Sequence, residues 1–241
     1  MAELIDENTA AILINNPSNP CGSNFSREHI RDIISLAESR NIPIIADEIY
    51  EHMVFGGTRY TSFAEISDNV PIIHVGGLAK QFMIPGWRLG WLVLHDRHNR
   101  LSQVRKGLMD LSTLTLGPTS LIQSIVPGLL EHTPSDFYKE VIEQLEENVT
   151  VIKKCLSNTP GLHLIEPQGA MYVMVGIDER LLGNDVDFST KLVEEESVFV
   201  LPGRVFEMPN YIRIVITSPR AILQDACERI HDFCVRNVKK I

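Results

Sequence analysis

The stretch PIIHVGGLAKQFMIPGWRLGWLVL, residues 71–94, decides the fold class. Pro71 to Val75 is a short apolar run bounded by turn residues, the pattern of a strand buried on both faces. Gly76-Gly77 reads as a turn leading to Lys80, and Leu89 to Leu94 (LGWLVL) reads as a further strand. Only about a dozen residues separate the two runs, with Pro85 and Gly86 among them, too few for the helical crossover of a parallel pair. This pair is therefore expected to be antiparallel.

Upstream the spacing is different. Ala10 to Asn15 (AAILIN) and Ile42 to Ala46 (IPIIA) are buried-strand patterns, the second ending at Asp47. Between them Ser26 caps a helix in which Ile30, Ile33, Ile34 and Ala37 recur at helical spacing. Strand, helix, strand with buried runs reads as an α/β fold with a mostly parallel sheet. From about Asn99 the pattern turns helical, and Ser135 to Leu156 forms a long amphipathic helix. Beyond it, short strands at 163–166, 171–175, 198–201 and 211–216 interleave with helices at 188–196 and 221–238, a smaller α+β unit. The expected domains are 1–133, part of a large α/β domain, and 134–241, a small carboxyl-terminal domain with its linking helix.

The composition excludes several classes. With 241 residues and 44% hydrophobic side chains the chain is neither disordered nor collagen-like. A net charge of −9 argues against a generic nucleic-acid or anionic-membrane surface. Cys21, Cys155, Cys227 and Cys234 form no C-x-x-C pair, and the eight histidines show no H-x-H or H-E-x-x-H spacing, so no metal site is expected. Cys227 and Cys234, seven apart, read as thiols on one buried helix face. The start, MAELIDENTA, has no signal pattern, and Pro127 and Gly128 interrupt the longest apolar stretch. A soluble protein of a reducing compartment, the cytoplasm, is expected.

Asn19, the pair Asp47 and Tyr50, and Lys80 each follow one of three successive strands, where ligands of open α/β sheets bind. The neighbouring Glu48 reads as a solvated strand-end acid, and Glu194-Glu195-Glu196 as a solvated helix face. Arg88, eight residues after Lys80, is a phosphate-binding type of side chain. Amine, arginine, carboxylate and phenol together are the requirements of a pyridoxal phosphate site. Trp87 and Trp91 are expected in the core near the lysine loop.

The blocks NPSNPCG (16–22), ADEIY (46–50), GGLAK (76–80), PGWRLGW (85–91) and PQGAMY (167–172) resemble, in order and spacing, the fold-type-I aminotransferases of the aspartate aminotransferase superfamily. Their wording is most similar to the tyrosine aminotransferase branch. The resemblance runs from about Ala10 to the last helix. It implies pyridoxal 5'-phosphate as cofactor, with Lys80 as the lysine bonded to it. It further implies Asp47 on the pyridine nitrogen, Tyr50 and Asn19 on the ring oxygen, and Arg88 on the phosphate. Arg213, in YIRI, matches the arginine that grips the substrate α-carboxylate; an internal salt bridge to an acid such as Glu207 is the alternative. The implied reaction is L-tyrosine plus 2-oxoglutarate going to 4-hydroxyphenylpyruvate plus glutamate, in amino-acid catabolism, by a homodimer in the full-length form. Gly77 stands where many relatives have a serine that contacts the phosphate. The family carries a long segment before the NPSNPCG block, with a hydroxyl-rich phosphate loop and an aromatic that stacks on the ring. Ser112, Thr113 and Thr115 read instead as helix-end residues. The chain thus resembles the carboxyl-terminal part of an aminotransferase, and a catalytically silent form that only pairs with a full-length subunit is the alternative.

Overall fold

Ser26 starts the first helix, α1 (Arg27–Arg40), because its hydroxyl accepts the His29 N–H at 3.2 Å, satisfying a donor that the first turn leaves open. Asn41, at φ 54°, closes the helix in the left-handed conformation. Ile30, Ile33, Ile34 and Ala37 then face one way, onto β1 (Ile12–Asn15) and β2 (Ile44–Asp47). The structure is a computed structural model and describes residues 1–239.

The sheet continues through β3 (Ile72–Gly77) to β4 (Gly90–His95), in spatial order β1-β2-β3-β4. The first three strands are parallel and β4 is antiparallel to β3, as the short connection requires. A four-residue helix, α2 (Phe63–Ile66), buries Phe63 in the same core as α1. Each fully buried isoleucine there, such as Ile30 or Ile44, contributes about 1.5–3 kcal/mol relative to exposure. The other face of β1 is bare at Leu13. Helices α3 (Ser102–Thr115) and α4 (Ser120–His132) follow.

Gly76 and Gly77 do not form the expected turn; both belong to β3, opposite Trp91 and Gly90. A Cβ on Gly76 would lie 2.5 Å from the Trp91 indole nitrogen, so glycine lets that ring lie across the strand. Trp91 and Trp87 are accordingly half-buried beside the strand ends rather than in the core.

The long helix α5 (Ser135–Leu156) leads into the second sheet, made of β5 (Leu162–Leu164), β6 (Tyr172–Ile177), β7 (Leu201–Pro202) and β8 (Tyr211–Val215). It is antiparallel throughout, ordered β5-β6-β8-β7. All six residues of β6 are buried. The short helix α6 (Glu179–Leu182) precedes α7 (Asp185–Glu196), and α8 (Arg220–Asn237) ends the described chain. Phe188 of α7 meets Phe233 of α8 edge to face at 5.2 Å. Cys227 and Cys234 lie in the same buried face of α8, and burial pushes both thiols up to about 12.

The chain divides into two compact units. The first comprises Met1–Pro17, Asn24–His52 and Arg59–Tyr138, and the second comprises Ser18–Ser23, Met53–Thr58 and the described chain from Lys139 onward. No helix among the described residues is long and apolar enough to cross a membrane.

Candidate active site

Alternation along β2 and just past its end separates two adjacent acids. Asp47 is half-buried, and one carboxylate oxygen accepts the Ile49 N–H at 3.3 Å. Its backbone carbonyl takes the Asn16 N–H and the Asn15 side-chain amide, tying β2 to the end of β1. Tyr50, three residues on, is 3% exposed, and the Lys80 ammonium sits 5.6 Å from the centre of its ring. Lys80 lies three residues past β3, in a turn where its carbonyl accepts the Met83 N–H. Carboxylate, phenol and amine thus all stand at the carboxyl ends of β2 and β3, in the first unit.

Glu48 is the residue whose place the sequence reading missed. It is 1% exposed, not solvated. Its oxygens accept the Ser62 hydroxyl at 2.7 Å and the Phe63 N–H at 2.9 Å, and lie 3.4 Å from His74 Nδ1. The period-2 alternation that leaves Asp47 half-buried turns Glu48 to the buried side. Burial, with the Glu48 charge as a further cause, pushes the Tyr60 phenol well above its ordinary range. Burial likewise raises the Glu51 carboxyl, with Glu48 adding to the rise and His74 opposing it. Ligand atoms of Glu48, Glu51 and His74 lie within 4.8 Å of one another, but the Glu48 oxygens are already engaged by the Ser62–Phe63 turn and His74.

Arg88 is exposed, at φ 53°, and one guanidinium nitrogen donates to the Pro85 carbonyl at 2.8 Å. It lines an open cavity of about 600 Å³ with Trp87, Thr115, Gly117 and Thr119. Ser112, Thr113 and Thr115 all donate to carbonyls within their own helix, as helix-end residues do, and Thr115 also lines this cavity.

Asn19 and Arg213 lie in the second unit. The Asn19 side-chain oxygen accepts from Arg213 Nη1 at 2.6 Å. The guanidinium carbon is 4.2 Å from the centre of the Tyr172 ring and 4.5 Å from that of Phe206, a cation held between two aromatic faces. Arg213 Nε is buried without a partner. Among the described residues no carboxylate lies within ion-pair reach of Arg213, so the salt bridge to Glu207 does not form. Ile212 and Ile214, both buried, hold this part of β8 between β6 and β7.

Residues 1–230 of the 241 match the family described as aminotransferase class I and II. The chain belongs to that family. Among curated proteins it is 45% identical to mouse tyrosine aminotransferase over 238 residues, 97% of this chain and 52% of the mouse protein. It is 46% identical to the human tyrosine aminotransferase, over 96% of this chain and 52% of that protein. The crystal structure of tyrosine aminotransferase from Leishmania infantum superposes with a TM-score of 0.95 at 38% identity, covering 99% of this chain and 59% of that one. The alanine aminotransferase of Pyrococcus furiosus follows at a TM-score of 0.91 and 32% identity, over 97% and 60%. The chain thus spans about half the length of its curated aminotransferase relatives, and its α/β fold is a part of the family's fold-type-I architecture.

Proposed function

We propose that this chain carries the lysine half of a pyridoxal-phosphate-dependent aminotransferase site acting on an aromatic amino acid. The observation that carries the reading is the group at the ends of β2 and β3: Lys80 over the Tyr50 ring, with the Asp47 carboxylate on the adjoining strand. The donor set fits the cofactor, because a primary amine, a carboxylate with an oxygen left for a pyridinium and a buried phenol are gathered in one unit. Arg88, with Thr115 and Thr119 in the same open cavity, supplies donors of the kind a phosphate takes.

Bound pyridoxal phosphate supplies an electron-withdrawing ring that takes up negative charge from the substrate α-carbon. Lys80 would supply the amine that holds the cofactor and, when free, the base that would take a proton from the substrate α-carbon and return it. The Asp47 carboxylate would pair with the ring nitrogen and favour its protonated form. The Tyr50 phenol and the Asn19 amide would donate to the cofactor's ring oxygen, and Arg88 would pair with its phosphate. Arg213 presents a planar fork to the substrate carboxylate, set in angle by Tyr172, Phe206 and Asn19.

L-tyrosine with 2-oxoglutarate, giving 4-hydroxyphenylpyruvate and glutamate, is the preferred pair, supported by the mouse and human relatives' names. The barley nicotianamine aminotransferase A, 34% identical, and the P. furiosus alanine enzyme mark other amino acids handled within the family. A role in amino-acid catabolism, a homodimer for the full-length form and a cytoplasmic location complete the reading. A second reading, a silent chain that pairs with a complete subunit, is favoured by the 52% coverage of the mouse relative.

The test is borohydride reduction of the chain incubated with pyridoxal phosphate, followed by peptide mass mapping. Label at Lys80, lost in Lys80→Ala, is expected; equal label in both sinks the assignment. Saturable turnover of L-tyrosine by the unreduced chain, supplied with pyridoxal phosphate and 2-oxoglutarate, rejects the silent reading.

A further inference from the structure

Asp185 opens α7 and is wholly buried, although acids of a first helical turn are ordinarily at the surface, as Asp187 is. The helix does not need this carboxylate as a cap, because the Asn184 side chain already accepts the Val186 and Asp187 N–H groups at 3.0 Å. Burying a carboxylate is costly unless it is bonded and paired. Here one oxygen accepts the Arg204 N–H at 2.8 Å, and the other takes no hydrogen bond and faces the Arg204 guanidinium at 3.8 Å. The carboxylate thus ties α7 to the turn Gly203–Phe206.

That turn is closed on itself. The Gly203 carbonyl accepts the Met208 N–H at 3.0 Å, and the Arg204 carbonyl accepts the Glu207 N–H at 3.2 Å. A Cβ on Gly203 would lie 2.1 Å from the Met208 carbonyl oxygen, so the turn packs directly on the chain that enters β8. Fixing Arg204 therefore constrains Phe206, two residues on, which is one of the two rings on the Arg213 guanidinium. The other ring, Tyr172, is set by the pairing of β6 with β8, whereas Phe206 lies outside the sheet and takes its place from the turn. All of these residues belong to the second unit. We propose that Asp185 is a positioning residue for the substrate-carboxylate site: through the Arg204 N–H it holds Phe206 against the Arg213 guanidinium. The inference rests on the reading of Arg213 as the carboxylate-binding arginine and extends that site to the buried start of α7.

The experiment follows the Arg213 Nε–H by proton–nitrogen NMR in the chain without ligand, the signal being assigned by its loss in Arg213→Lys. In Asp185→Ala this proton is expected to exchange with water about tenfold faster, while the backbone amides of β6 keep the parent's rates. Asp185→Asn retains an acceptor for the Arg204 N–H and is expected to restore the parent's rate. Phe206→Leu, with Asp185 in place, is expected to match Asp185→Ala. Phenylpropionate, an aromatic carboxylate with no amine, is then titrated into parent and variant, and Asp185→Ala should need about tenfold more of it to shift the Nε–H signal. A parent signal that phenylpropionate does not shift overturns the reading of Arg213 and the proposal with it. With that shift present, the proposal alone is overturned by any of four results: exchange unchanged in Asp185→Ala or in Phe206→Leu, exchange in β6 rising in step, no rescue by Asp185→Asn, or an Asp185→Ala chain that does not fold.

Discussion

Arg213 shows how one side chain is held ready at a cost. Its guanidinium is confined between Tyr172 and Phe206, gives one N–H to Asn19 and leaves Nε buried and unpartnered. An unsatisfied buried donor costs about 1–3 kcal/mol, which an incoming carboxylate offsets by accepting from the open nitrogens. Lysine keeps the charge but not the planar fork or the stacking. Arg213→Lys is therefore expected to weaken binding of a carboxylate substrate analogue about tenfold or more by calorimetry, with little change in melting temperature. A second residue-scale constraint sits in the Asn19 loop. Gly22 has φ +66°, and a Cβ there would lie 2.7 Å from Pro167 Cβ and 2.9 Å from the carbonyl oxygens of Gly169 and Tyr172. Two of those three contacts are backbone, which does not swing aside. Gly22→Ala should cost more than about 1 kcal/mol, read as a lower urea midpoint.

At the scale of elements, β2 and β3 are braced below the site by Glu48, whose carboxylate joins the Ser62–Phe63 turn to His74 of β3. Glu51 stands at the rim of this brace with its carboxyl raised above 4.5, first by burial. The folded chain then holds that proton to higher pH than the unfolded chain, so this group's contribution to stability is full below 4.5 and is lost as pH rises through the raised value. His52, 3.6 Å from Glu51, is shifted down by burial and acts in the opposite sense below 6.5. Subtraction isolates Glu51: the difference in urea midpoint between Glu51→Gln and the parent should grow in the variant's favour from pH 4.5 toward 7. These braces mark the limit of sequence reading. The α1 cap, the ends of α5 and the antiparallel β4 were legible because they depend on near neighbours and on helical period. Gly76-Gly77 reads as a turn until Trp91, fifteen residues on, is seen to need the space. Glu48 reads as solvated until the Ser62–Phe63 turn supplies its donors. The pairing of Asn19 with Arg213 spans almost the entire chain: Asn19 is legible from its place after a strand, but no local pattern joins it to Arg213.

Across the whole molecule, burial is uneven. The second unit encloses all of β6 between strands and closes α7 on α8 through Phe188 and Phe233, while α3 and α4 of the first unit have no fully buried residue. Gly107 in α3 and Pro127 with Gly128 in α4 lower intrinsic helicity further, glycine by about 1 kcal/mol and proline by about 3 kcal/mol relative to alanine. Local opening free energy follows burial, so the two helices belong at the low end and β6 near the global value. Amide hydrogen exchange on the chain alone should therefore show residues 102–132 exchanging fast, within about tenfold of an unstructured peptide, and Tyr172–Ile177 exchanging last. Equal protection in the two regions would mean that α3 and α4 already have a partner in solution, and light scattering on the same sample shows whether that partner is a second copy.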